Sequence, residues 1–119
     1  MATSKTRREL VLRALDVLGV SAVGQAPAAE DYSAVDAQVD PVIATLAATE
    51  IVYVANADDI PFEWFEPLAN ILADAMSVDF GLGDAEKATL ATNAAAARAS
   101  LKLMTRGKAT GQRMVAEYF

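Results

Sequence analysis

Thr6-Arg7-Arg8-Glu9-Leu10-Val11-Leu12-Arg13-Ala14-Leu15-Asp16-Val17-Leu18-Gly19 carries a whole helix, with its start and its stop. The Thr6 hydroxyl can accept from the backbone N–H three residues on, and Glu9 can reach back to the amide of Thr6, which together form a capping box. Leu10, Val11, Ala14, Leu15 and Leu18 fall on one helical face. Gly19 supplies the left-handed residue that closes a helix. The spacing predicts a helix over Arg7–Leu18.

The pattern extends outward from there. Val20–Ala29, with Gly24 and Pro27, reads as a loop, and Asp31 can cap a second helix. Tyr32, Val35, Val39, Ile43 and Leu46 keep one helical phase across Pro41, so one kinked helix is favoured over a fresh start capped by Asp40. Ile51-Val52-Tyr53-Val54 is the one β-branched run, long enough for an edge strand or an extended connector. Asn56-Ala57-Asp58-Asp59 is turn chemistry, after which Pro61 opens a third helix. There Trp64, Leu68, Ile71, Leu72, Ala75 and Val78 share a face, Pro67 adds a bend, and Gly81 and Gly83 make the stop. A fourth helix, capped by Asp84, is expected over Ala85–Arg106, about 33 Å long at 1.5 Å per residue. Its face is Leu90, Ala94, Ala97, Leu101 and Met104, and Gly107 ends it. The expected fold is all-α: a small bundle of about four helices over residues 1–107, a short extended or β segment, and an extended C-terminal tail over residues 108–119.

Charge is sorted along the chain. Residues 1–13 carry a net +3, residues 14–86 carry fourteen acids and no Lys or Arg, and residues 87–119 carry a net +5, giving the overall −6. Such sorting creates a field with distinct ends. The 54% hydrophobic content is largely Ala, which contributes little buried area per residue, so the interior is thin and a partner surface could complete it.

The sequence has no Cys and no His. Disulfides, thiolate metal sites and thiol catalysis are excluded, and the usual general base at neutral pH and commonest zinc ligand are missing. Nothing approaches the roughly 20 apolar residues of a membrane span. The basic start is followed by no signal-peptide core, because Arg13 and Asp16 interrupt Leu10–Leu18. The chain is therefore expected to be made and used in a cytoplasm, or assembled there into something exported whole.

Three clusters merit weighing. Asp58, Asp59, Glu63 and Glu66 are the densest carboxylates, but they lack the spacing of a calcium loop and read as favourable negative charge at a helix start. Arg98, Lys102 and Arg106 recur every four residues. They suit a solvated helix end, docking on an acidic neighbour, or phosphate contacts, in that order given the negative total charge. Arg113-Met114-Val115-Ala116-Glu117-Tyr118-Phe119 ends on two aromatics, which either fold back on their own core or dock on a partner. No cofactor or metal is expected, and no constellation has catalytic spacing.

The motif Thr6-x-x-Glu9-Leu10-Val11-x-x-Ala14-Leu15-x-x-Leu18-Gly19-Val20 resembles the opening helix of tailed-bacteriophage head-to-tail adaptors, of the connector or tail accessory factor type. Ala29-Glu30-Asp31 through Val39-Asp40-Pro41, then Asp58-Asp59-Ile60-Pro61, a helix ending Phe80-Gly81, and the closing Glu117-Tyr118-Phe119 are similar to the same group. The resemblance implies a helical bundle that forms a ring, usually twelve-fold, beneath the portal protein. That ring extends the double-stranded DNA channel and gives a downstream tail or nozzle protein its platform. It also implies that residues 108–119 dock on the portal, and that the protein resides at the head–tail junction of the virion after assembly in the host cytoplasm. In that setting Arg7, Arg8, Arg98, Lys102 and Arg106 would face adjacent copies or the portal, while Asp58, Asp59, Glu63 and Glu66 would face the lumen or rim and repel phosphate. The alternatives are a DNA-binding helical regulator and a generic cytoplasmic interaction module.

Overall fold

Helices α1 (Arg7–Leu18), α2 (Ala29–Ala48), α3 (Phe62–Met76) and α4 (Asp84–Glu117) make up the protein in a computed structural model. It describes residues 4–20 and 27–117, with side chains as far as Thr105. The loop expected over Val20–Ala29 falls mostly on residues 21–26, outside the described residues. The all-α expectation holds. Helix α3 packs against each of the other three, and α1 also packs against α2. Two strands, β1 (Ser4–Lys5) and β2 (Ile60–Pro61), pair antiparallel with Ser4 opposite Pro61 and Lys5 opposite Ile60. They tie the start of the chain to the start of α3.

Helix α1 follows its sequence closely. Thr6 and Glu9 form the reciprocal capping box, and Leu10, Val11, Ala14, Leu15 and Leu18 are all buried. Gly19, at φ 76°, donates to Asp16 O while Val20 donates to Leu15 O, a Schellman closure. Helix α2 runs unbroken across Pro41 and buries Val35, Val39 and Leu46, with Tyr32 and Ile43 packed beside them. Asp31 is not its cap. Ala28 takes the capping position with an extended backbone and no side-chain bond, and Glu30 and Asp31 are anions in the first turn.

The Ile51–Val54 run is a connector with no ladder partner. Val52 and Val54 still plug the core while Tyr53 is 73% exposed, so strand-like alternation serves burial alone. Pro61 does not open α3 from within. It holds the N-cap position at φ −54°, ψ 144°, and pairs with Ser4. Helix α3 buries Leu68, Ala69, Ile71, Leu72, Ala73 and Met76. Two members of the expected face, Ala75 and Val78, are exposed: Ala75 borders a groove, and Val78 lies in the turn beyond the helix. The regular helix stops at Met76, and the turn that follows closes at Gly81, where Leu82 donates to Ser77 O.

Asp84 is the first residue of α4 rather than its cap, since the Gly83 carbonyl already accepts from Lys87 N–H. Leu90, Ala94, Ala97 and Leu101 are buried as the spacing requires, with Met104 packed beside them. The extended tail is not observed, because α4 continues through Gly107 and Gly111 to Glu117. Each glycine costs about 1 kcal/mol relative to Ala, but Lys108, Ala109, Gln112, Arg113, Met114, Ala116 and Glu117 are good helix formers that offset it. The result is a helix of 34 residues, about 51 Å long. It accounts for the 56 Å long axis and for a radius of gyration of 15.7 Å, above the roughly 13.5 Å of a compact chain this size.

Helix α2 ends on a strained residue. Glu50 sits at φ 58° and donates to Ala47 O while Ile51 donates to Leu46 O, a Schellman closure built without glycine. Glu50→Gly is expected to stabilise the fold by about 0.5–1 kcal/mol, the relief of left-handed strain less glycine's chain entropy. Gly81→Ala is expected to lose about 1 kcal/mol or more, although nothing lies within 4 Å of the added Cβ. Urea midpoints of the two variants check both signs.

The N–H of Thr6 bonds Glu9 Oε1 at 3.0 Å, and this bond, with help from Lys5, holds the Glu9 carboxyl below its ordinary pKa of 4.5. Its contribution is present above pH 4.5 and lost as pH falls through the lowered value. Glu9→Gln keeps an acceptor that does not titrate. The stability gap between wild type and Glu9→Gln is expected to be constant above that pH and to narrow below it in denaturation followed at pH 7 and pH 3.

Candidate docking surfaces

Arg7 makes four hydrogen bonds to distant parts of the chain. Its Nε donates to Asp36 Oδ1 at 2.7 Å, Nη1 to Asp40 Oδ1 at 2.9 Å and Nη2 to the Asp36 carbonyl at 2.9 Å. The hydrogen bond it donates to Asp36 raises the guanidinium pKa further, against the opposing effect of desolvation. Its backbone N–H donates to Asp58 Oδ1 at 3.3 Å. One residue thus joins the start of α1, the middle of α2 and the turn before α3. Asp36 and Asp40 are one helical turn apart on α2, which lets one planar fork engage both.

The other N-terminal cations are also engaged within the chain. Arg13 makes a fork on Glu66, Nε to Oε1 at 2.7 Å and Nη2 to Oε2 at 3.2 Å, linking α1 to α3. That hydrogen bond raises the Arg13 pKa. Arg8 lies 5.5 Å from the centre of the Tyr32 ring, and Lys5 lies over both Phe62 and Phe65. Asp58 and Glu66, expected from the resemblance to face the lumen or rim, therefore already have partners in the fold. Asp59 and Glu63 are exposed with no ion pair among the described residues. No group of three such side chains able to hold a metal occurs among the described residues.

Helix α4 differs. Lys87 pairs with Asp84 at 3.7 Å, but Arg98 and Lys102, both half-buried, have no carboxylate within 4.0 Å among the described residues. The faces around them are built of exposed Ala91, Ala95 and Ala99. The side chains of Arg106 and of Arg113, Met114, Val115, Ala116 and Glu117 lie outside the described residues, on a backbone that is helical; Tyr118 and Phe119 lie wholly outside them. Sequence reasoning found the α4 cations but missed the staples of Arg7 and Arg13. Their partners lie 29 and 53 residues away, where helical spacing gives no signal.

No helix among the described residues is long and apolar enough to cross a membrane. Comparison with protein-family models, curated proteins and solved structures found no match.

Replacing Arg7 tests the staple. Arg7→Ala is expected to cost about 1–2 kcal/mol, more than an isolated surface pair, because a carbonyl and two carboxylates lose their donor. Arg7→Lys is expected to recover less than half of that, since an ammonium cannot span both carboxylates. Chemical denaturation of the two variants measures the difference.

Proposed function

We propose that this protein is a non-catalytic structural adaptor of a tailed bacteriophage. It assembles as a ring beneath the portal, twelve-fold in the usual manner of the family it resembles, extends the DNA channel and offers the next tail component a platform. The observation that carries this reading is helix α4. It packs broadly on α3 alone and extends well past Met104, the last of its described side chains seated on the core. A helix mounted on one neighbour, with Arg98 and Lys102 unpaired among the described residues, suits a surface that is completed by assembly. The resemblance of residues 6–20 supplies the setting, and the absence of Cys and His supports a structural role over a catalytic one.

The acidic surface has a place in this reading. Exposed Asp59 and Glu63 on a channel wall or rim would repel phosphate and let DNA slide. The staples of Arg7 and Arg13 neutralise only part of the acidic block, which leaves the remainder to face solvent or DNA.

Mixing the protein with the portal of its own phage and imaging the product by electron microscopy tests the reading. A ring added to the portal is the expected result. A chain truncated after Gly107 is expected to keep its thermal transition and lose attachment. Absence of any portal complex with the full chain would falsify the adaptor reading.

A further inference from the structure

An open groove of about 230 Å³ runs between α2, α3 and α4. Buried Leu46 and Ile71 form its floor, Pro41, Val42 and Ala75 its walls, and Arg98 its one charged member. Pro41 offers no backbone donor, so the wall it forms is apolar. Arg98 is half-buried and lacks a carboxylate among the described residues. Five N–H donors at the edge of an apolar slot call for an anion next to an apolar ring.

This sequence sets an acid beside an aromatic in several places, and the fold accounts for those among the described residues; exposed Tyr53 is flanked by Val52 and Val54 and has no acid beside it. Tyr32 lies beneath Arg8, Phe62 and Phe65 lie beneath Lys5, and Trp64 and Phe80 pack on the core. Glu117-Tyr118-Phe119 remains. It does not reach the groove of its own chain. From Arg98 to Glu117 the helix advances about 28 Å, and two further residues span at most about 7 Å.

We infer that the groove between α2, α3 and α4 receives Glu117-Tyr118-Phe119 of a second copy, with Glu117 meeting Arg98 and an aromatic ring lying over Val42 and Ile71. The inference rests on the assembly reading above and names the contact between copies. A groove on one copy that takes the end of the next is a heterologous contact, the kind that closes into a ring when the rotation allows. Complementary charge fixes the register, and ring burial supplies the affinity.

The absence of cysteine makes the contact directly testable, because introduced thiols meet no background. Thr45, exposed at the groove, is replaced in one preparation (Thr45→Cys) and Ala116, just before the docking residues, in another (Ala116→Cys), and the two are mixed under mild oxidation. Covalent heterodimer is expected at least about tenfold faster than with Ser33→Cys, on an exposed part of α2 outside the groove, since docking raises the effective thiol concentration. Arg98→Gln, which keeps an aliphatic stem, and Glu117→Arg are each expected to bring the rate down to the control. Arg98→Glu combined with Glu117→Arg is expected to restore it. Circular dichroism of each variant verifies that helicity is unchanged. Equal rates at Thr45 and Ser33 overturn the inference, as does a fast intrachain bond in dilute Thr45→Cys/Ala116→Cys protein. Portal binding without the cross-link removes this contact and keeps the adaptor reading; the cross-link without portal binding keeps the contact and removes the adaptor reading.

Discussion

The wide apolar arc of α3 is the constraint on which the rest depends. Leu68, Ala69, Ile71, Leu72, Ala73 and Met76 are buried on a helix of 15 residues, more than a single-sided amphipathic stripe provides. A helix that is apolar over so much of its circumference must be surrounded, and here α1, α2 and α4 surround it. None of the three could be lost without exposing part of that arc to water. Each buried Leu or Ile contributes roughly 1.5–3 kcal/mol, so α3 is the principal source of cohesion in an interior otherwise rich in alanine.

Charge then decides how the layers are registered. The sequence sorts its cations and anions into blocks, and the fold brings the first basic block onto the acidic one. Arg7 reaches α2 and Arg13 reaches α3, so two forks set α1 against both neighbours. Ions that are half-exposed contribute modestly to stability, but paired forks with fixed geometry discriminate strongly against shifted packings. On α4, Lys87 pairs only locally with Asp84, and Arg98 and Lys102 find no carboxylate among the described residues.

Helix existence and buried faces were legible wherever a periodic apolar pattern met a local stop. Leu10, Val11, Ala14, Leu15 and Leu18 are buried as read, and α2 keeps its phase over Pro41 because the tertiary contacts of Val39 and Leu46 on either side hold it. Boundaries were less legible. Asp31 and Asp84 have capping side chains but lie inside their helices, since an extended Ala28 and the carbonyl of Gly83 set the starts. Glu50 shows the converse: a helix closed by a left-handed residue with no glycine to announce it. The two-residue strands carry too little pattern to be read, and Ile51–Val54 carries a strand pattern with no strand to join. Of the candidate surfaces, the α4 cations were visible from their spacing. The commitments of Arg7, Arg13, Asp58 and Glu66 were not, because they depend on which helices become neighbours.

Helix α4 is continuous through Gly107 and Gly111. That continuity has a mechanical consequence. A rod anchored through one neighbour behaves as a lever. About 20 Å of it extends from Met104 to Glu117, so a tilt of roughly 10° at the anchor sweeps its tip by about 3 Å. Small repacking around buried Ala94 and Ala97 is therefore magnified at the far end, and the bearing of that end is set by the angle at which α3 and α4 cross.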